Sequence, residues 1–124
     1  MTAARYSIAD AELKVLKLLW AADEPLSVRE ITKAIYGQLN TSNIGTVHKL
    51  IQRLEKKSCV KRDRSRHAHR FSAKVSQVTV AGKQLEALAK KVSDGSLAPF
   101  ISHLVQAKRL SKQEKAKIFR LLEE

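Results

Sequence analysis

Between Gly45 and Lys57 the run GTVHKLIQRLEKK sets hydrogen-bonding side chains beside a row of apolar ones. Gln52 can offer a donor and an acceptor together, the pair that matches an adenine edge, and Lys49 can donate to guanine. Just upstream, Ser42, Asn43 and Thr46, with the amides of a helix start, suit a phosphate. At about 100° per residue, Gly45, His48, Lys49, Gln52 and Lys56 fall on one helix face, with Thr46 and Arg53 on its shoulders. Val47, Leu50, Ile51 and Leu54, at i, i+3, i+4 and i+7, make the opposite stripe. Gly45 is costly there, by about 1 kcal/mol against alanine. Either a nucleic-acid backbone comes close to it, or it belongs to a frayed first turn.

A second basic group follows. Arg62, Arg64, Arg66 and His67 occupy four of six consecutive positions, a density that favours contacts to phosphate or the minor groove over an idle exposed loop. His67-Ala68-His69 could share a strand face, and His48 and Cys59 could be imagined beside them. The ligand spacing of a structural zinc site is absent, so no metal is expected. Cys59, the single cysteine, is expected to pack as a small hydrophobe. His103 fits a helix surface. No H-E-x-x-H, G-x-S-x-G, phosphate loop or apolar carboxylate pair is present, and the acidic residues sit in caps and helix ends. Neither an enzyme nor a cofactor is expected.

The charge distribution agrees with a polyanionic partner. The formal net charge is +12, yet residues 1–48 hold five Lys/Arg and five Asp/Glu. Residues 49–74 hold ten Lys/Arg against Glu55 and Asp63, and residues 75–124 hold nine against five. Concentration in one span points to a binding surface rather than general solubility.

These groups need elements to hold them. A helix is expected from Asp10 to Ala22, capped by Ser7 or Asp10. Its stripe is Leu13, Leu16, Leu19 and Trp20, with Val15 beside it, and Pro25 ends it. Ser27-Val28-Arg29-Glu30 fits a capping box for a second helix, with Val28, Ile31, Ile35 and Leu39 inward and Gly37 or Asn40 at its end. Asn43 is the expected cap of the third. Val60–Asp63 and His69–Ser72 then flank a polar tip as a β-hairpin, without the usual turn glycine. Ser76 is expected to cap a long helix bearing Val80, Leu85, Leu88 and Val92, ending at Asp94-Gly95. A short helix over Pro99 to Lys108 carries Phe100, Ile101, Leu104 and Val105. The last starts in a second capping box, Ser111 to Glu114, and carries Ile118, Leu121 and Leu122.

Three helices and a hairpin in that order make a winged helix-turn-helix, in which the third helix enters the major groove and the hairpin reaches the flanking backbone. The expected fold is mainly α, with a winged-helix domain over 1–74 and a helical dimerisation region over 75–124. Three short helices with one stripe each close a core poorly. They either pack on the first domain or bury Leu85, Leu88, Val92, Phe100, Ile101, Leu104, Val105, Ile118, Leu121 and Leu122 against a second copy, which gives a two-fold dimer. A basic winged-helix module for RNA or a protein partner is the alternative, and a monomer would suit it better. No apolar run reaches the roughly 18 residues of a membrane span, and the N-terminal stretch has no signal-peptide core. A cytoplasmic protein is expected.

Several stretches jointly resemble the penicillinase-repressor family of bacterial transcription regulators, of the BlaI/MecI type. They are Ile8-Ala9-Asp10-Ala11-Glu12 with Val15-Leu16 and Leu19-Trp20, then Pro25-Leu26-Ser27-Val28-Arg29-Glu30-Ile31. Thr46-Val47 through Arg53-Leu54-Glu55-Lys56-Lys57 follows, then Gly95-Ser96-Leu97 and Leu110-Ser111 to Leu121-Leu122-Glu123. Order and spacing hold over about residues 7–124. The resemblance implies a homodimeric repressor of inverted-repeat operators, and in some members a sensor whose signal leads to proteolysis. The matching junction here is His103-Leu104, where those members carry Asn-Phe. Gly45 stands where Lys is frequent, Ser58 where Gly is frequent and His67 where Arg is common. The operator is therefore expected to depart from the family's TACA/TGTA half-sites. The C-terminal cysteine cluster of copper-responsive relatives is missing, so copper sensing is not expected.

Overall fold

The computed structural model describes residues 5–123. Asp10–Ala21 forms α1, Leu26–Ser27 β1, Val28–Tyr36 α2 and Thr41–Lys56 α3. Val60–Asp63 and Arg70–Ala73 are β2 and β3, followed by α4 (Gln77–Ser93), α5 (Ala98–Gln106) and α6 (Lys112–Leu122). This is the expected winged helix-turn-helix with a helical region after it.

The helix boundaries follow from their caps. The Ser27 hydroxyl accepts the Glu30 amide at 3.2 Å and the Glu30 carboxylate accepts the Ser27 amide at 2.9 Å, the reciprocal box read from the sequence. Those bonds to Ser27, first of all the one from its amide, hold the Glu30 carboxyl below the usual carboxylate range, with Arg70 adding to the effect. Ser111 and Glu114 repeat the arrangement at α6. Gly37 ends α2 in the left-handed conformation at φ 77°, which a side chain resists. Two expected caps are displaced. Neither Ser7 nor Asp10 caps α1: Ala9 is the N-cap, and its amide donates to the Glu12 carboxylate at 2.8 Å. At α3 the cap is Asn40 rather than Asn43, because the Asn40 carbonyl oxygen of the side chain accepts the Asn43 amide at 2.8 Å. The recognition-helix candidate thus begins a turn earlier, and Ser42 and Asn43 lie within it.

The first core gathers Val15, Leu16 and Leu19 of α1, Ile31 of α2, and Val47, Leu50, Ile51 and Leu54 of α3. Val15 rather than Leu13 lies at the centre of the α1 stripe, since Leu13 is half-buried. Leu39 is exposed instead of facing inward. Cys59, Val60 and Phe71 bring the hairpin into this core, so the Cys59 thiol is buried as expected. Burial pushes its pKa up.

The hairpin is the expected one, with β3 one residue later than the pattern implied, and a third strand joins it. The sheet order is β1-β3-β2, all antiparallel, with Leu26 opposite Phe71 and Arg62 opposite Phe71 on the other side. β1 has only two residues, too short to show an alternation in the sequence.

The chain divides into two compact units, Met1–Gln84 and Leu85–Glu124. The first extends ten residues beyond the expected limit at 74, because Val75 and Val80 are buried in its core. The Trp20 indole also donates to the Val75 carbonyl at 2.8 Å. In the second unit Ala89 is buried, and Asp94 and Gly95 end α4 at φ 53° and 94°.

Candidate nucleic-acid interface

α3 turns its polar residues outward as the periodicity demanded. His48, Lys49, Gln52, Arg53 and Lys56 are exposed, opposite the buried Val47, Leu50, Ile51 and Leu54. Lys49, Gln52, Arg53 and Lys56 line one shallow cleft on this face. Among the described residues none of these three cations takes part in a salt bridge. The face is therefore cationic and carries one amide, Gln52, with both a donor and an acceptor to present.

The start of α3 is less free than its composition implied. The Thr46 hydroxyl donates its single proton to the Ser42 carbonyl at 3.0 Å, so while that bond stands it has none to give a phosphate, which itself only accepts. The Asn43 side-chain amide donates to the Gln38 carbonyl at 3.1 Å, which leaves it one further proton. Ser42 is exposed. Around Gly45 an added Cβ would meet nothing within 4 Å. The fold itself has no need of glycine here. Gly45→Ala should therefore raise stability by about 1 kcal/mol through helix propensity, visible as a higher midpoint in thermal unfolding. Because α3 starts at Thr41, Gly45 lies in its second turn and not in a frayed first one. If the variant also binds DNA more weakly, close backbone approach explains the glycine; unchanged DNA binding would remove that explanation.

In the hairpin, Arg64, Arg66 and His67 are exposed at the tip. The turn closes without glycine because the Asp63 carboxylate accepts the Ser65 amide at 2.9 Å. Hydrogen bonding to Ser65 holds the Asp63 carboxyl below its usual range, and the Arg66 and Arg70 charges act in the same direction. Arg62 stands apart from these three. Its Nη2 and Nε reach the two Glu55 oxygens at 2.7 and 3.1 Å, its Nη1 lies 3.1 Å from His69 Nδ1, and its guanidinium sits 4.9 Å from the Phe71 ring centroid. Arginine only donates, so His69 Nδ1 accepts. The expected free phosphate ligand is thus already engaged. Alternation from buried Val60 puts Arg62 on the inner face of β2, a signal present in the sequence.

Two further cations of the basic span are similarly engaged. Lys57 pairs with buried Glu12 at 2.8 Å and also donates to the Ser7 carbonyl at 2.7 Å. Arg70 pairs with Glu30 at 2.8 Å and donates to the Pro25 carbonyl at 3.0 Å. Lys57, the C-cap of α3, turns back to α1. Composition alone cannot distinguish these from the outward cations.

The second unit presents a different surface. Leu85, Leu88, Val92, Ile101, Leu104, Val105, Ile118, Leu121 and Leu122 are between 39% and 78% exposed, and Phe100 is half-buried. Phe119, outside the apolar set expected from the sequence, is exposed with them. His103 and Leu104 lie inside α5, both exposed. Among the described residues, no group of three or more His, Cys, Asp or Glu could hold a metal ion, and no helix is long and apolar enough to cross a membrane.

Three packed helices, a hairpin wing and an outward cationic face on the third helix define a winged helix-turn-helix protein. A family model described as penicillinase repressor matches residues 8–124. The chain belongs to the penicillinase-repressor family, as the motifs implied. It is 32% identical over 100 residues to "Transcriptional regulator BlaI" of Mycobacterium tuberculosis, in strains CDC 1551 / Oshkosh and ATCC 25618 / H37Rv. That stretch covers 80% of this chain and 72% of each relative.

Proposed function

We propose that this protein is a homodimeric, sequence-specific repressor that binds an inverted-repeat operator. The observation that carries the reading is the outward face of α3, where Gln52 stands among Lys49, Arg53 and Lys56. In this reading Lys49 and Gln52 meet base edges, with Gly45 and His48 beside them. Ser42, Asn43, Arg53 and Lys56 lie along the phosphates, Thr46 joins them when its hydroxyl releases the Ser42 carbonyl, and Arg64, Arg66 and His67 of the wing reach the flanking backbone. Family membership and the named regulator it resembles support transcriptional control.

The second unit supports dimerisation. An apolar surface that broad on a 40-residue unit is unfavourable in water, and a second copy would cover it by two-fold symmetry. A sensor or protease partner that relieves repression would act on this region, and cutting between His103 and Leu104 would require α5 to unwind locally.

Leu104→Asp tests the assembly. Sedimentation at micromolar concentration should turn a dimer into a monomer, and affinity for a full operator should fall by about 10²-fold or more as the two readers lose their linkage. Fragments selected from genomic DNA by the wild-type protein supply the operator. A wild-type protein that sediments as a monomer and selects no common sequence would remove this reading in favour of RNA or protein binding.

A further inference from the structure

We propose that Arg62 is a positioning residue that locks the wing to the recognition helix and thereby sets how well the protein distinguishes its operator from other DNA. The proposal rests on the DNA-binding reading above. Arg62 occupies the middle of β2, two residues before the exposed Arg64 of the wing tip. Glu55 lies on α3, one turn past Gln52. The bidentate fork between them joins the strand that leads into the wing to the helix that would read bases. The same guanidinium reaches across the sheet, where His69 accepts from it and the Phe71 ring lies beneath it. One planar group is thus held on α3, by the residue just before β3, and by the core of the sheet.

Such a fork has a narrow geometry, and its planarity is needed for both the carboxylate and the ring. Lysine keeps the charge but can neither fork onto both carboxylate oxygens nor stack flat on the ring. The hairpin is also tied through buried Val60 and Phe71, through the pairing of β3 with β1, and through Arg70 on Glu30 and the Pro25 carbonyl. Those directional ties hold β3, so loss of the Arg62 fork frees β2 and the tip to rock against α3. A wing that rocks still meets phosphates, since any basic tip does. What it loses is the fixed register that lets Lys49 and Gln52 meet base edges and phosphate contacts be made at once. Arg62 and Glu55 are each about one quarter exposed, so loss of the pair disturbs the geometry more than it threatens folding.

The readouts are the salt slope of binding and the ratio of operator to non-specific affinity, measured on the full-length protein for Arg62→Lys, Arg62→Gln, Glu55→Gln and Arg64→Gln. Arg62→Lys and Arg62→Gln should each lower the ratio about tenfold and leave the slope unchanged. Arg64→Gln should reduce the slope by about one per protomer and leave the ratio unchanged. Glu55→Gln is the sharpest arm. Simple electrostatics predicts tighter binding when an anion is removed, whereas the lock predicts the same loss of discrimination as Arg62→Gln. The double variant should lose no more than either single one. Thermal unfolding of each variant establishes that the protein being titrated is folded. If Arg62→Gln reduces the slope by about one and Glu55→Gln keeps full discrimination, Arg62 is a phosphate ligand and the proposal is overturned. Full discrimination in all Arg62 and Glu55 variants overturns it too, while the DNA-binding reading stands. No salt-dependent DNA binding by the wild-type protein overturns both.

Discussion

Raising salt from 50 to 200 mM should weaken binding to duplex DNA by roughly 10³–10⁵-fold, the loss expected of a protein that neutralises about 6–10 phosphates. The estimate follows from which cations are outward. On each protomer Lys49, Arg53 and Lys56 stand on α3 and Arg64 and Arg66 at the wing tip, all exposed and none in a salt bridge among the described residues. Doubled in the proposed two-fold dimer, these five give a count within the range above. Lys57, Arg62 and Arg70 are left out because each is paired with a carboxylate of its own fold. A titration across four or five salt concentrations measures the slope directly. A nearly flat response would mean that the basic span serves something other than a polyanion.

Lys57→Met should destabilise the first unit by about 3 kcal/mol, the lower end of the cost of breaking a buried ion pair. Glu12 is 2% exposed, and its carboxylate accepts from Lys57 at 2.8 and 3.1 Å and from the Ala9 amide at 2.8 Å. Removing Lys57 leaves a charge in the core with one backbone donor. Lys57 is itself about a quarter exposed, so water can reach part of the site, which places the loss at the low end of the range. Against a total stability of about 5–15 kcal/mol this is a large fraction. Urea unfolding should show a lower midpoint with little change in slope. Replacing both partners, Glu12→Leu with Lys57→Met, should recover most of the loss, because the uncompensated charge is then absent. If Lys57→Met instead unfolds within about 0.5 kcal/mol of the wild type, the range of a surface substitution, the pair behaves as a surface contact. The outward face of α3 is untouched in either variant, so DNA binding at low denaturant should persist.

Much of the fold is carried by local signals. The 3.6-residue period of Val47, Leu50, Ile51 and Leu54 gives both the helix and its outward face, since any helix with that stripe must turn the other residues away from the core. The capping boxes at Ser27 and Ser111 are equally local, each closed within four residues. Asn40 and Asn43 are both good cap residues, and spacing alone does not choose between them; the fold uses Asn40. β1 has no signature in the sequence because two residues have no period, and they become a strand only when β3 lies beside them. The Asp63 to Ser65 hydrogen bond replaced the turn glycine whose absence had weakened the hairpin signal.

The sequence by itself determined the order of the helices and the hairpin, the two faces of α3, the basic tip of the wing and the apolar stripes of the last helices. Each rests on residues a few positions apart, where spacing alone decides which side chains share a face. The tertiary structure decided which of the basic residues are available. Lys57 meets Glu12 across 45 residues and Arg70 meets Glu30 across 40, while Arg62 meets Glu55 only because β2 folds back along α3. Charge acts through distance in space, and a cation near in sequence to its fellows can be spent on a carboxylate that only folding brings within 3 Å.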